Sequence, residues 1–189
     1  MQFDKEQEKR ELQEKMVSSE EIFDGKILHV MRDTVQLPDG SGSFRELIRH
    51  VGAVCIVPAT EDGKVYVERQ YRYPVDRVIT EIPAGKLDSR EEDRLEAAKR
   101  ELREETGLTA DEWIDMGNCY SAAAYSDETI TMYLARGLHK GEQALDKGEF
   151  LNVILLPLEE LVRQVMEGEI PDGKTQIAVL KAARLLENR

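Results

Sequence analysis

The chain has 189 residues, of which 41% are hydrophobic and 34% are charged. That apolar content is enough for one domain with a modest extension, so a disordered chain is not expected. The 38 acidic residues outnumber the 26 basic ones and give a formal net charge of −12. A protein that binds nucleic acid or an anionic membrane presents a positively charged surface to it, so this negative charge argues against both as partners. A phosphate-bearing ligand would need local arginines and divalent cations.

The cysteine, histidine and hydropathy patterns exclude further classes. Two cysteines are too few for a disulfide scaffold, and the three histidines are scattered without the spacing of a zinc site. The sequence has no apolar run of about 18 residues and no hydrophobic signal segment at its start. We therefore expect a cytoplasmic protein without a membrane span.

The first 50 residues predict an N-terminal region that is separate from the main domain. Residues 1–16 are almost wholly charged and predict an exposed helix, to which no role is assigned. Alternating apolar residues from Ile22 to Leu37, a turn at Pro38-Asp39-Gly40 and a second run from Phe44 to Arg49 predict a β-hairpin. We expect residues 1–50 to form this region and residues 51–189 the main domain.

The remaining chain interleaves strands and helices. The run from Gly52 to Pro58 is continuously apolar, which is typical of a central strand buried on both faces. Further predicted strands are 64–71, 78–82, 114–120, 130–135 and 153–156, and the predicted helices are 92–106, 158–167 and 175–187. The order lacks the regular spacing of βαβ units, so we expect an α+β fold with a mixed β-sheet flanked by helices.

The helix predicted near residues 92–106 has signals at both ends. Ser89 followed by Glu92 forms a capping-box pattern, which places the helix start there. Gly107 suits a left-handed residue at the helix end.

Three carboxylates cluster on this helix. Glu101 and Glu105 are four residues apart and share a face, and Glu104 lies beside them. Such a cluster supplies the hard oxygen ligands that Mg²⁺ or Mn²⁺ requires. By charge alone, however, the run is more typical of a solvated helix.

The pattern contains more than charge. The run from Arg100 to Leu108 reads Arg-Glu-Leu-x-Glu-Glu-x-Gly-Leu and resembles the second half of the Nudix box at every specified position. Gly85 and Glu92 resemble its first half. Residues 86–91 between them are one more than the family usually has, and loops tolerate extra length best.

This resemblance implies a Nudix-type α/β/α sandwich that hydrolyses the diphosphate linkage of a nucleotide derivative with Mg²⁺, or Mn²⁺. Arg100 would orient the carboxylates, and Glu92 would brace the helix. Glu104 would contribute to catalysis as well as to the metal site. The metal ligands that the resemblance assigns are the Ala84 carbonyl, Glu101, Glu104 and Glu105.

The flanking sequence looks like the ADP-sugar pyrophosphatase group. Three runs are similar to it: Arg45–Val54, Glu68–Pro74 and Glu81–Lys86. This similarity implies a homodimer in which the N-terminal strands pair across a two-fold axis, and a nucleotide diphosphate as the small-molecule substrate. The positions that it assigns to substrate binding are Arg49, Arg72 and Glu81. An arginine fork binds phosphate in a bidentate manner, which would offset the acidic charge of the chain.

One loop leaves the substrate open. Glu128 matches the glutamate of a Ser-Pro-Gly-x-Ser-x-Glu loop in this group and is the candidate general base. Ala123 and Ala124 replace the proline and glycine that ADP-ribose enzymes usually carry. The leading hypothesis is hydrolysis of ADP-ribose to AMP and ribose 5-phosphate. The alternatives are GDP-mannose, another nucleotide sugar or a dinucleotide as substrate, or a non-catalytic sensor that binds ADP-ribose.

Overall fold

A computed structural model describes residues 4–187. The chain divides into two compact units. The N-terminal unit comprises the chain up to His50 together with Ala122–Glu128, and the main unit comprises Val51–Ser121 and the chain from Thr129 onward. Within the described residues, no helix has both the length and the apolar character that crossing a membrane requires.

The N-terminal unit is an antiparallel sheet of three strands preceded by a short exposed helix. Its elements are α1 (Lys5–Leu12), β1 (Lys15–Asp24), β2 (His29–Gln36) and β3 (Gly42–Arg49), and the sheet order is β1-β2-β3. The predicted hairpin corresponds to β2 and β3. The prediction of one strand-like segment from residue 22 to 37 was wrong, because the Gly25 N–H donates to the Leu28 carbonyl at 2.9 Å and closes a turn. Residues 15–16, which were predicted as helix, begin β1.

Within its described residues, the main unit contains two sheets and three helices. Its strands are β4 (Ala53–Pro58), β5 (Lys64–Arg72), β6 (Arg77–Glu81), β7 (Ala84–Lys86), β8 (Leu108–Tyr120), β9 (Thr129–Lys140) and β10 (Leu151–Pro157). Its helices are α2 (Arg94–Thr106), α3 (Leu158–Met166) and α4 (Gly173–Glu187), with a 3-10 turn at Tyr73–Val75. One sheet has the order β7-β4-β9-β8 and is mixed, because β4 runs parallel to β9 and antiparallel to β7. The other sheet is antiparallel, in the order β10-β5-β6.

Strand β4 separates two hydrophobic cores. All six of its residues are buried, as the continuous apolar run predicted. Val54 and Ile56 belong to a core that includes the buried face of α2, and Cys55 and Val57 belong to a core that includes α3 and α4. Alternate residues of a strand point to opposite faces, so helices cover both sides of the sheet. The predicted α+β fold, with a mixed sheet between helices, is confirmed.

The predicted start of α2 was wrong. Asp93, not Ser89, caps the helix, because its carboxylate accepts the backbone N–H groups two and three residues further on, at 2.9 and 3.0 Å. Ser89 and Glu92 lie in the preceding turn, where the Glu92 N–H donates to the Ser89 carbonyl at 3.3 Å. At the other end Gly107 has a φ of +71°, as expected for a left-handed cap.

The buried face of α2 provides a test of this packing. Leu102 is fully buried in the core beside β4, so Leu102→Ala should lower the free energy of unfolding by about 2–5 kcal/mol. Leu180→Ala is the matched control, because Leu180 lies on α4 with 39% of its surface exposed. Urea denaturation measures both. Equal losses in the two variants would contradict the assigned core.

Candidate active site

Helix α2 presents its glutamates beside the segment that precedes it. Glu105 is buried, and its Oε2 accepts the Ala84 N–H at 2.9 Å. Glu101 is one turn earlier on the same face and is half-buried. The hydrogen bond from the Ala84 N–H therefore fixes Glu105 relative to the Ala84 backbone, and both residues are predicted metal ligands.

Gly85 allows Glu101 to approach the backbone closely. A Cβ atom added at Gly85 would lie 1.9 Å from the Glu101 Cδ, well inside van der Waals contact. No side chain can therefore occupy this position while Glu101 stays where it is. This close approach explains why the first position of the motif is a glycine.

Arg100 bridges the acidic side chains and the loop before α2. Its Nη1 lies 2.7 Å from Glu101 Oε1 and 3.3 Å from Glu104 Oε2. Its Nη2 donates to Glu92 Oε1 at 3.3 Å and to the Lys86 carbonyl at 3.4 Å. One guanidinium thus contacts two of the predicted metal ligands and anchors the loop that carries the additional residue of the motif.

The loop between β9 and β10 is bound to the C-terminal end of α2. The Ala144 N–H donates to the Glu104 carbonyl at 2.9 Å, and the Gly141 N–H donates to the Gly107 carbonyl at 2.7 Å. The last carbonyls of a helix have no partner within the helix, so these bonds satisfy groups that the fold leaves open. They bring Asp146 and Glu149, further along the same loop, to the site.

These elements surround a polar cavity of about 260 Å³. Its lining residues are Ala84, Gly85, Lys86, Asp88, Arg100, Glu101, Glu104, Glu105, Asp146 and Glu149. The lining therefore contains six carboxylates and only two cationic side chains. Five predicted site residues lie together here: Ala84, Arg100, Glu101, Glu104 and Glu105.

Burial and mutual repulsion raise the pKa values of three carboxyl groups at or beside the cavity, Glu68, Glu101 and Glu105. Burial is the main cause for Glu105, whose pKa rises to about 9, and Glu68 is the next. Burial, followed by Glu149 and Glu81, raises the pKa of Glu68 to about 8. Burial also raises the pKa of Glu101, although Arg100 opposes the shift. The site therefore lacks enough positive charge to match its carboxylates.

The side chains present fit a divalent cation. Glu68 Oε1 is buried and has no hydrogen-bond partner among the described residues. Within residues 4–187, no three His, Cys, Asp or Glu side chains are arranged so that they alone could hold a metal ion. Mg²⁺ does not need such a cage, because it binds through one or two carboxylates and completes its shell with waters and substrate phosphates. The oxygen donors and the unmatched negative charge are those that this ion requires.

The two predicted substrate-binding residues in the main unit contact each other. Arg72 Nε donates to Glu81 Oε1 at 2.6 Å, and Arg72 Nη2 donates to Glu81 Oε2 at 3.0 Å. Lys174, on α4, contacts the same carboxylate. Glu81 is buried, whereas 44% of the Arg72 side chain is exposed. The arginine can therefore meet a ligand while its inner edge stays paired.

The other two predicted residues lie in the N-terminal unit. Arg49 Nη2 is 3.1 Å from Asp33 Oδ2, and its Nη1 is 3.5 Å from Asp127 Oδ2. His50 Nδ1 lies 3.5 Å from Glu128 Oε1. The loop that contains Asp127 and Glu128 is thus bound to the end of β3.

Sequence reasoning missed several charged residues of the main unit, among them Glu68, Glu149 and Lys174. Glu149 lines the cavity, Glu68 lies opposite Glu81 on the adjacent strand, and Lys174 contacts Glu81. Glu68 could have been found, because it directly follows the apolar run Val65–Val67, where a buried glutamate is unusual. Glu149 and Lys174 lie in polar segments, where nothing in the sequence pattern distinguishes them from surface residues.

The fold and the cavity define a class: an α/β/α sandwich whose helix and loops direct an excess of carboxylates into one polar site. The Nudix domain profile matches residues 49–176. The profile of the nucleoside diphosphate sugar hydrolase N-terminal domain matches residues 14–48. The chain therefore belongs to the Nudix family, and it is a Nudix pyrophosphohydrolase. Nudix hydrolases generally use divalent metal ions.

Individual relatives cover most of the chain. The methanol dehydrogenase activator of Bacillus methanolicus is 41% identical over 169 residues, which are 88% of this chain and 91% of the relative. The ADP-ribose pyrophosphatase of Bacillus subtilis (strain 168) is 38% identical over 172 residues, with 90% and 92% covered. A crystal structure of an ADP compounds hydrolase superposes with a TM-score of 0.81 at 23% identity and covers 94% of this chain and 96% of that one. That likeness confirms the fold.

The space around Gly85 gives a direct test of the site geometry. Gly85→Ala should displace Glu101 and lower both Mg²⁺ affinity and turnover by at least about tenfold, because site geometry tolerates shifts of well under 1 Å. Gly42→Ala is the matched control, since a Cβ at Gly42 meets no atom within 4 Å. Titration calorimetry with Mg²⁺ measures the affinity. Normal affinity in Gly85→Ala would show that Glu101 is not required at this position.

The excess of carboxylates predicts a stability cost in the metal-free protein. Glu68→Gln should raise the free energy of unfolding in a chelator by about 1 kcal/mol or more, because one pKa unit corresponds to about 1.4 kcal/mol. Glu96→Gln, on the exposed face of α2, should change it little. Denaturation at neutral pH compares the two. A destabilised Glu68→Gln variant would mean that the Glu68 carboxylate has a stabilising partner in the metal-free protein.

Proposed function

We propose that the chain hydrolyses the diphosphate linkage of a nucleoside diphosphate sugar with Mg²⁺, or Mn²⁺, as cofactor. ADP-ribose, cut to AMP and ribose 5-phosphate, is the leading substrate. The observation that carries the proposal is the cavity in which six carboxylates outnumber two cationic side chains. The relatives named ADP-ribose pyrophosphatase, at 38% and 37% identity over most of the chain, support the choice of substrate.

In the proposed mechanism each site residue has a defined role. Glu101, Glu104, Glu105 and the Ala84 carbonyl would hold the divalent cation, which when bound would neutralise diphosphate charge and make water a better nucleophile. Arg100 would hold the carboxylates in position through its contacts with Glu101 and Glu104. Such chemistry depends on positioning and charge stabilisation.

The substrate would be bound by arginine. Arg72 would donate its outer N–H groups to a phosphate oxygen while Glu81 holds its inner edge. Arg49, supported by Asp33, is the second arginine proposed to contact the substrate.

The general base is proposed to be a glutamate outside α2. A water oxygen attacks phosphorus, the bridging P–O bond breaks, and the proton of the water passes to a carboxylate oxygen. Glu149 is the stronger candidate because it lines the cavity with Glu101 and Glu105. Glu128 is the candidate that the motif indicated, and its carboxylate lies beside His50.

Replacing each candidate separates them. Glu149→Gln should lower kcat by about 10²–10⁴-fold with KM little changed, because a general base acts mainly in the transition state. Glu142→Gln, an exposed residue of the same loop, is the control. Glu128→Gln is measured in parallel, and a larger kcat loss there than in Glu149→Gln would assign the base to Glu128 instead.

A substrate panel tests the activity itself. Release of the nucleoside monophosphate should be fastest with ADP-ribose, should stop in a chelator and should return when Mg²⁺ is added. GDP-mannose, another nucleotide sugar and a dinucleotide belong in the panel, because Ala123 and Ala124 replace the proline and glycine expected for ADP-ribose enzymes and because GDP-mannose pyrophosphatases are among the relatives. If the enzyme hydrolyses one of these compounds faster than ADP-ribose, that compound would replace ADP-ribose as the leading substrate. Tight ADP-ribose binding without turnover would favour the sensor alternative, and the relative at 41% identity is named as an activator of another enzyme.

We also propose a homodimer formed through residues 1–50, with residues 51–189 as the hydrolase domain. Strand β1 is exposed along its whole length in the single chain, although it carries Met16, Val17, Ile22 and Phe23. An exposed strand with apolar side chains favours a partner. We further propose a cytoplasmic location, with no nucleic acid or membrane partner, in keeping with the net charge of −12.

Light scattering tests the dimer. Ile22→Asp should shift the protein from the mass of a dimer toward that of a monomer, because it places a charge on the proposed interface. Ser18→Asp, on the same strand, should have a smaller effect. A wild-type protein with monomer mass would refute the proposal.

A further inference from the structure

Four charged side chains meet where the start of α4 lies against the end of β6. Arg72 donates twice to Glu81, at 2.6 and 3.0 Å. Lys174 contacts Glu81 from the other side, and its Nζ lies 3.0 Å from Asp172 Oδ2. Lys174 is therefore shared by two carboxylates, one of which is paired with the exposed arginine.

Three members of this group are largely buried. The exposed fractions of the side chains are 4% for Glu81, 14% for Lys174 and 18% for Asp172. Burial alone would lower the pKa of Lys174, but Asp172 and Glu81 raise it above its ordinary value, so the ammonium form is favoured. Without this cation, Asp172 would lose its ion pair and Glu81 would keep only Arg72, so a buried charge would be left uncompensated.

The neighbouring residue fixes the backbone of the same segment. Thr175 Oγ1 donates to Asp172 Oδ2 at 2.5 Å and accepts the Ile82 N–H at 3.1 Å. Ile82 lies between Glu81 and Ala84, and the Ala84 N–H in turn holds Glu105. The first turn of α4 is thus connected by direct contacts to the segment that supplies both the substrate-binding pair and the metal-site backbone.

We propose that Lys174 is a positioning residue for the substrate: it fixes Glu81, and Glu81 fixes Arg72 in the orientation that binds the diphosphate. The inference rests on the proposed function, because it assigns Arg72 to a phosphate. Lys174 would therefore act through Glu81 and would not contact the ligand itself.

The hydrogen-bond geometry explains why positioning matters here. A guanidinium has five N–H donors, and Glu81 takes two of them along one edge. The opposite edge is then directed by the plane of the Glu81 carboxylate. If Glu81 can rotate, Arg72 loses this orientation, and bidentate binding of phosphate depends on it.

The test compares Lys174→Met with a matched control on the same helix. Lys181→Met also removes an ammonium that is bound to protein, but Lys181 contacts the Met116 carbonyl and no group of the site. The measurements are kcat and KM for the best nucleoside diphosphate sugar, and the Kd for its non-hydrolysable α,β-methylene analogue by calorimetry. Thermal unfolding checks that each variant is folded.

Lys174→Met should raise KM and the analogue Kd by about tenfold or more, whereas kcat should fall by no more than about threefold, because a lost binding contact affects ground state and transition state alike. Lys181→Met should match the wild type. Unchanged KM and Kd in a folded Lys174→Met variant would overturn the inference. A wild type that hydrolyses no sugar of the panel would overturn the proposed function and the inference with it.

A double-substitution cycle tests whether Lys174 acts on substrate binding through Glu81. If Lys174 acts through Glu81, adding Lys174→Met to Glu81→Gln should leave the Kd of Glu81→Gln unchanged. This comparison remains decisive if the single Lys174→Met variant fails to fold, because Glu81→Gln removes one of the two buried charges that Lys174 pairs with. A further weakening in the double variant would show that Lys174 acts independently and would overturn the inference.

Discussion

Six carboxylates and two cationic side chains line one partly buried cavity, and the surrounding segments must hold these like charges close together. Glu105 and Glu68 have pKa values raised to about 9 and about 8 because burial and neighbouring carboxylates disfavour their charged forms. A fold that keeps such groups together accepts a cost in stability that a divalent cation and a phosphorylated ligand can offset. The same arrangement reconciles a net charge of −12 with a negatively charged substrate.

The scaffold maintains this arrangement through backbone contacts. The Ala84 N–H holds Glu105, and the absence of a side chain at Gly85 admits Glu101. The open carbonyls at the end of α2 bind the loop that contains Glu149. The site is therefore assembled from three separate segments, each fixed by groups that α-helix and strand geometry leave available.

The sequence predicted the periodic parts of this molecule and missed those that depend on tertiary contacts. Strand β4 and helix α2 follow from an apolar run and from helical spacing, and Gly107 from its cap position. The helix start was misplaced because a capping-box pattern at Ser89 competed with Asp93, and local spacing does not reveal which cap the loop geometry selects. Lys174 is more than 90 residues from Glu81, so only the folded chain reveals their contact.

A divalent cation bound in this cavity would lie between α2 and the segment before it. A crystal grown with Mn²⁺ and an α,β-methylene ADP-ribose analogue tests it most directly through the anomalous signal of the metal. We expect an anomalous peak coordinated by Glu101 and Glu105, with the diphosphate of the analogue beside it. An analogue bound elsewhere, or a cavity that contains no Mn²⁺ while the analogue is bound, would contradict it.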